Sequence, residues 1–309
     1  GKGLSMASHS GITTNTTTKY TNKGTVNITG GSPSSTTALS VSYGTVDNQG
    51  TITVDNGIGA YGINGSNLVN NSAINITSGG VGMAAFASAS ALKDYGTDAK
   101  MKAGASPALT PSDKVLEIVN NGTITVAGNQ SIGLYGKTNS VTGAAISPAA
   151  SNAVITNNGK IIMTGDGAVG IDSDATSGGN GATVNLGGTG SSDIVVGTSG
   201  IGVYAGNGSS VNFLGNTGVE VKDKGVGLFI DGSSSLNSAG NTFEIKYTGS
   251  SSGSGAGIFY NNSATNSTNV NIVNNGSDKG VVGLYTTGGT LTNNATIIDM
   301  SGKGYGISS

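Results

Sequence analysis

The chain has 309 residues, of which 55 are glycine and only 10% are charged, and its net charge at pH 7 is −2. Charged residues usually make up about 25% of a globular protein, so this composition excludes a charged disordered tail and does not resemble an ordinary enzyme. The 14 basic residues are all lysine and form no stripe, which argues against a nucleic-acid partner; the absence of cysteine excludes disulfides and thiolate metal sites.

A segment made of an Asn-rich turn, a short strand and a glycine-flanked aliphatic residue recurs along the chain. Its clearest copies span residues 46–63, 118–135, 155–171 and 291–307. Most neighbouring copies lie roughly 20 to 37 residues apart, a repeat length that is typical of solenoids. Gly, Asn, Thr and Ser dominate where a helical solenoid needs strong helix formers, so the sequence predicts a parallel β-helix.

Alternate residues of each copy share one chemical character. In the copy at 46–54, Val46, Asn48, Ile52 and Val54 fall on one side, and most residues on the other side are polar. This period of two indicates a strand with one buried side. We therefore expect one all-β domain over residues 1–309, with about ten coils and a length on the order of 50 Å at roughly 4.8 Å per coil.

Asparagine recurs at one inward position of the repeat. If coils stack in register, these side chains lie about 4.8 Å apart and can hydrogen-bond to one another along the axis. The predicted ladder consists of Asn22, Asn48, Asn70, Asn120, Asn157 and Asn293. We expect it to stabilise the turns, because Asn before Gly readily adopts turn geometry.

A glycine-aliphatic-aromatic step forms the second anchor of many coils. If the aliphatic residue points inward, the aromatic residue points outward. The predicted outward aromatics are Tyr135, Tyr204, Phe229, Phe259 and Tyr285. They either protect that side of the β-helix or form a platform for a sugar or for the apolar patch of a partner.

Two insertions interrupt the repeat, at 87–117 and 137–153. The longer one holds a large share of the charge and the candidate partner-binding residues Lys93, Asp94, Tyr95, Asp98, Lys100, Lys102, Asp113 and Lys114. Insertions in solenoids form loops on one side and often carry binding, so this loop is either a binding loop or a solvated decoration.

No catalytic residue, metal site or cofactor is predicted. The glycine-flanked segment at 3–7 superficially matches that of subtilisin-like serine proteases, but the order of a triad is wrong, because the only histidine, His9, follows Ser5. Asp166, Asp172 and Asp174 form the densest acidic group outside the long insertion, yet 172–178 lacks the bidentate acid of a calcium loop.

The repeat resembles a known family. Asn-Asn-Gly-Thr-Ile-Thr-Val at 120–126, followed by Ile-Gly-Leu-Tyr at 132–135, resembles the passenger repeats of bacterial type V autotransporters, most closely the very large adhesins of fusobacteria. The resemblance implies a right-handed β-helical passenger on the bacterial cell surface, in a longer protein anchored by a C-terminal outer-membrane barrel. Such adhesins attach to other bacteria, host glycans or host receptors, and they offer no portable binding motif.

The sequence thus favours an adhesin segment that binds a receptor protein, a glycan or another bacterial surface through loops and an outer face. One alternative is a purely structural stalk of a larger adhesin. Another is a glycan-cleaving β-helix enzyme, which would need converging carboxylates in a cleft and a strongly shifted pKa.

Overall fold

The chain is all-β in the computed structural model, which describes residues 2–7, 19–32, 36–42, 44–63, 66–87, 116–138, 153–175, 181–249, 254–276 and 280–309. Most of both predicted insertions lies outside these ranges. The candidate binding residues Lys93, Asp94, Tyr95, Asp98, Lys100, Lys102, Asp113 and Lys114 are therefore outside the described residues.

The described residues form 29 strands, which are numbered here in chain order. They are β1 (Lys2–Ala7), β2 (Lys19–Asn22), β3 (Val26–Ile28), β4 (Thr37–Ser42), β5 (Thr45–Asn48), β6 (Ile52–Ile63), β7 (Asn67–Asn70), β8 (Ala73–Ala87), β9 (Leu116–Asn120), β10 (Thr123–Val126), β11 (Ile132–Thr138), β12 (Ala153–Asn157), β13 (Lys160–Met163), β14 (Val169–Ala175), β15 (Thr183–Leu186), β16 (Ile194–Val195), β17 (Ile201–Ala205), β18 (Ser210–Phe213), β19 (Thr217–Val221), β20 (Val226–Asp231), β21 (Ser235–Asn237), β22 (Thr242–Tyr247), β23 (Ala256–Asn261), β24 (Ala264–Asn266), β25 (Asn269–Asn274), β26 (Val282–Thr286), β27 (Leu291–Asn293), β28 (Ile297–Asp299) and β29 (Tyr305–Ser308).

These strands build a right-handed parallel β-helix, as predicted, and the β-helix has three faces. The first face consists of β2, β5, β7, β9, β12, β15, β18, β21, β24 and β27, and each of these strands begins one of ten coils. The chain then crosses the second face, whose strands run from β3 to β28, and the third face, whose strands run from β4 to β29. β1 pairs with β4 and adds one strand to the end of the third face. Because β6 and β8 continue through the corner between them, the second and third faces form a single 19-stranded sheet.

Like residues stack on like residues in the core. On the second face one inward column is aliphatic in eight successive coils, and every member is completely buried: Ile52, Ile74, Ile124, Ile161, Ile194, Val219, Ile245 and Ile272. A single coil cannot enclose these side chains, so each coil depends on its neighbours for burial. The predicted inward and outward parity of the repeat is the one observed.

The asparagine ladder occupies the corner between the first and second faces. Each side-chain Nδ2 donates to the Oδ1 of the asparagine in the next coil, and all members are buried. The hydrogen bonds are Asn22 to Asn48 (2.8 Å), Asn48 to Asn70 (2.9 Å), Asn70 to Asn120 (2.9 Å) and Asn120 to Asn157 (2.8 Å). All point the same way, so each bond polarises the next.

The ladder is interrupted in the middle of the β-helix and then resumes. After Asn157 the register position is occupied by Leu186 and then by Phe213, which close the corner with apolar side chains. A second run begins at Asn266, whose Nδ2 donates to Asn293 Oδ1 at 2.8 Å. Asn266 was not among the predicted members, because the degenerate central copies hide its register.

A second polar ladder lies outside the first and was not predicted. Asn71 donates to Asp47 (2.7 Å), Asn121 donates to Asn71 (2.9 Å), and Asn158 donates to Asn121 (2.9 Å). Its hydrogen bonds run in the opposite direction to those of the inner ladder. Burial alone would raise the pKa of Asp47, but hydrogen bonds from Lys19, Gln49 and Asn71 hold it below its ordinary value.

The recurring glycine at the start of the third face is required by close contact between coils. A Cβ added to Gly133 would lie 2.5 Å from the carbonyl oxygen of Gly170 and 2.7 Å from Ile161 Cγ2. Seven further glycines meet the next glycine's carbonyl oxygen in the same way, at 2.5 to 2.9 Å: Gly59, Gly82, Gly170, Gly202, Gly227, Gly257 and Gly283. Because each glycine packs this closely, the side chain of the aliphatic residue after it points inward and the side chain of the following residue points outward.

Candidate binding surface

The outer side of the third face carries a partly exposed aliphatic row. Just before the glycine column, seven strands carry a half-buried aliphatic residue, and the position in β23 is occupied by the buried Ala256. The seven residues are Ile58, Val81, Ile132, Val169, Ile201, Val226 and Val282. A continuous apolar strip of this kind is unusual on the surface of a soluble domain and commonly marks an interaction site.

An aromatic row runs beside it, three residues further along each strand. In register order, from β6 to β26, the row reads Tyr61, Ala84, Tyr135, Asp172, Tyr204, Phe229, Phe259 and Tyr285. All five aromatics predicted to point outward are in this row and are half-buried, whereas the aliphatic residues that precede them are completely buried. The structure also adds Tyr61.

The last four members form an aromatic stack. The centroids of Tyr204 and Phe229 are 5.2 Å apart with planes 19° from parallel, and those of Phe229 and Phe259 are 4.8 Å apart at 13°. Phe259 and Tyr285 follow at 5.2 Å and 41°. Each of the two inner rings is covered on both faces, so the stack presents ring edges to solvent. Pairs of this kind contribute about 0.5–1.5 kcal/mol each beyond their burial.

Asp172 occupies the position in the row between Tyr135 and Tyr204. Its carboxylate has no hydrogen-bond partner within the described ranges of the chain. Burial raises its pKa to about 6, the neighbouring Asp174 adds to the effect, and Lys137 opposes it. Burial and the charges of Asp172 and Asp174 likewise raise the pKa of Tyr135 to about 12.

The acidic groups around Asp172 are compensated. Asp174 accepts from Lys137 Nζ at 3.4 Å and from Asn207 Nδ2 at 2.6 Å. The main-chain N–H of Asn207 donates to Asp231 at 2.6 Å, which its left-handed backbone (φ 52°) makes possible. Burial would raise the pKa of Asp231, but hydrogen bonds from Asn207 and two serines lower it. Among the described acidic residues of this group, Asp172 is therefore the one whose negative charge is not stabilised by a hydrogen bond.

The placement of Asp172 can be inferred from a spacing in the sequence. Gly170-Ile171-Asp172 has the spacing of Gly133-Leu134-Tyr135, so a register drawn on the glycines puts the carboxyl in the aromatic row. The motif at 172–178 taken alone does not reveal this placement, because it resembles an incomplete calcium loop. The described residues contain no group of three or more His, Cys, Asp or Glu side chains that could hold a metal ion.

Within the described residues, no helix could span a membrane. Comparison with known proteins gives no match to any family description, curated protein or solved structure.

Proposed function

We propose that this chain is a segment of a bacterial cell-surface adhesin that binds a partner through its third face. The β-helix, on the order of 50 Å long, supplies rigidity and reach. The observation that supports the proposal most directly is the half-buried aromatic stack of Tyr204, Phe229, Phe259 and Tyr285 beside an aliphatic row. Tyr is among the residues enriched in binding hot spots, and Tyr and Phe are both enriched at protein interfaces.

The stacking geometry favours a protein partner over a sugar at this strip. Sugars bind aromatic side chains through exposed ring faces, and the inner faces of the stack are already covered by Phe229 and Phe259. Ring edges and the aliphatic row together suit an apolar patch on a receptor protein. At the N-terminal end of the stack, Asp172 suits a basic residue next to that patch.

The poorly supported charge of Asp172 also supports a binding role. A half-buried carboxylate with a raised pKa destabilises the folded chain at neutral pH, and an aromatic residue at this position would extend the stack. Groups that destabilise a fold in this way are concentrated at functional sites. A partner's cation would supply the missing compensation.

The test is binding of the purified chain to a panel of host-cell receptors and to a glycan array. We expect receptor binding that is lost in the double variant Phe229→Ser, Phe259→Ser. The matched control is Val154→Ser, Ile162→Ser, which changes outward half-buried residues of the first and second faces. Circular dichroism confirms that both variants remain folded.

A third version, in which residues 88–115 are replaced by Gly-Ser-Gly, distinguishes binding by the third face from binding by the long insertion. Binding that disappears with the insertion but survives the double variant would assign the partner to the loop. No binding of the intact chain to either panel would favour the structural stalk.

Glycan cleavage is the second candidate, and the pair Asp172 and Asp174 is the observation that favours it. The two residues project from the same side of one strand; the pKa of Asp172 is raised, and Asp174 accepts hydrogen bonds from Lys137 and Asn207. Such a difference suits a general acid beside a base. Release of reducing ends from a polysaccharide panel, abolished by Asp172→Asn, would establish this activity in place of binding.

A further inference from the structure

The stack of coils is open at one place on the first face. The strands β21 and β24 lie in successive coils, yet they do not pair: the eight-stranded sheet ends at β21, and β24 pairs only with β27. The same two coils remain paired on the other faces, through β20 with β23 and β22 with β25. The coils therefore separate along one side only, and the separation forms a slot.

The sequence explains why the slot reaches the core. The inward residue of the first face is a large aliphatic that is at most 2% exposed in six successive coils: Val46, Leu68, Ile118, Ile155, Val184 and Val211. Next to the slot these positions are Leu236 and Ala264, and both are partly exposed. Ala264 is too small to fill the space that a leucine or isoleucine would occupy.

Main-chain groups face one another across the slot. Ser235 N donates to Ser209 O in the preceding coil, so the N–H and C=O of Leu236 point the other way, into the slot. Ala264 N donates to Thr290 O in the following coil, so the groups of Thr265 point back into the slot. Neither edge has a ladder partner in the part of the chain that the structure describes. Such edges are templates for another strand.

The size and lining of the slot suit a main chain. Its volume is about 220 Å³. Three residues of extended backbone, roughly 10 Å long, 4.8 Å wide and 5 Å deep, fill about the same space. Half of the twelve lining residues are Gly, Ala, Ser or Thr, among them Ser234, Ser235, Ser263 and Ala264, and the others include Asp231. The one aromatic lining residue, Tyr260, is only 6% exposed, so it offers no free face for a sugar.

We propose that this slot binds an extended peptide segment of a partner protein as an additional strand between β21 and β24. The bound segment would hydrogen-bond to the main chain of Leu236 on one side and of Thr265 on the other. Its inward residue must be small and apolar, because it meets Leu236 and Ala264, and its two neighbours must be polar, because they face solvent. This recognition is separate from the third-face binding proposed above.

The probe is the peptide acetyl-Gly-Ser-Ser-Val-Asn-Ser-amide, which copies residues 208–212, the strand on the other side of β21, and ends in Ser in place of Phe213. Amide hydrogen exchange of the intact chain, read by NMR, is measured with and without about 2 mM peptide. We expect exchange at Leu236 and Thr265 to slow by about threefold or more. The control peptide is N-methylated at Val and cannot form the full ladder.

Two variants test the site. Ala264→Leu fills the slot, and Thr265→Pro removes one slot-facing N–H while the bonds of Ala264 and Asn266 to the last coil remain. Both should abolish protection at Leu236. Absence of protection in the unmodified chain, or equal protection by the N-methylated peptide, would overturn the proposal. Protection that persists in Ala264→Leu, or that a monosaccharide panel produces instead, would also overturn it.

Discussion

Asp172 and Tyr204 are register partners in adjacent coils, so a carboxylate abuts the first ring of the aromatic stack. Burial raises the pKa of Tyr204, and the charges of Asp174, Asp231 and Asp172 add to the effect. The N-terminal end of the aromatic stack and the acidic residues Asp172 and Asp174 thus lie in adjacent coils. Variants in these two coils and in the surrounding β-helix test this arrangement.

Asp172→Asn should stabilise the chain at neutral pH. The pKa of Asp172 is about 6 in the folded chain and near 3.8 ordinarily, so the folded chain holds the proton more tightly. The contribution of Asp172 to stability is therefore most favourable below about pH 4, falls as pH rises through 6, and levels off above about pH 7, a loss of roughly 3 kcal/mol at most. Urea unfolding at pH 4 and pH 7.5 should show a gain of about 1–3 kcal/mol for the variant at pH 7.5 only. An equal pH dependence in both proteins would contradict the account.

Asn70→Ala should strongly destabilise the corner between the first and second faces. The variant removes the hydrogen bonds that the Asn70 side chain makes to Asn48 Nδ2, to Asn120 Oδ1 and to the carbonyl of Ser72, and among the described residues Asn120 Oδ1 is left without a donor. We expect a loss of about 2–4 kcal/mol in urea unfolding. Asn121→Ala removes a similar pair of bonds from the exposed outer ladder and should change stability by less than about 1 kcal/mol. Similar losses in the two variants would show that burial of the inner ladder is unimportant.

Gly133→Ala should be poorly tolerated although alanine is a small residue. The new Cβ would meet the main chain of the next coil at 2.5 Å, and neither the Gly170 carbonyl nor Ile161 can move without disturbing its own strand. The expected cost is about 2 kcal/mol or more, seen as a lower thermal midpoint. The control, Gly288→Ala, adds a Cβ with nothing within 4 Å and should be nearly neutral. A neutral Gly133→Ala would mean that the coils can separate locally.

Ile124→Asp and Thr125→Asp test the parity of the strand. Ile124 is completely buried, whereas its neighbour Thr125 points outward and is half-buried. A charge at position 124 should cost several kcal/mol, on the order of 3–5, and the same charge at position 125 should be mild. Equal effects on the urea midpoint would contradict the assigned parity.

Much of the architecture could be predicted from the sequence because its causes are local and repeated. Alternation of apolar and polar residues sets the strand parity, and Asn before Gly marks one corner, which is why Asn22 to Asn157 could be placed in order. Features that depend on register across a degenerate coil could not be predicted in this way. Asn266 lies in such a coil. Asp172 can be placed in the aromatic row only from the spacing of its glycine step, because the residue itself is not aromatic.

The slot between β21 and β24 could not be predicted from the sequence either, for a different reason. Ala264 is an ordinary residue for a strand, and its small size matters only because eight of the other nine coils place a Val, Ile or Leu at the same position, with Tyr20 in the remaining one. The consequence, two unpaired strand edges, appears only when the coils are stacked.

The central claim is that a partner binds on the third face, and oxidative footprinting of the complex tests it most directly. Hydroxyl radicals modify exposed aromatic and aliphatic side chains, so reactivity is compared for the chain alone and with the partner that the receptor panel identifies. Tyr204, Phe229, Phe259 and Tyr285 should lose reactivity together, while Leu214, which is 62% exposed and outside this face, should not change. Unchanged reactivity of the aromatic stack in a saturated complex would contradict the account.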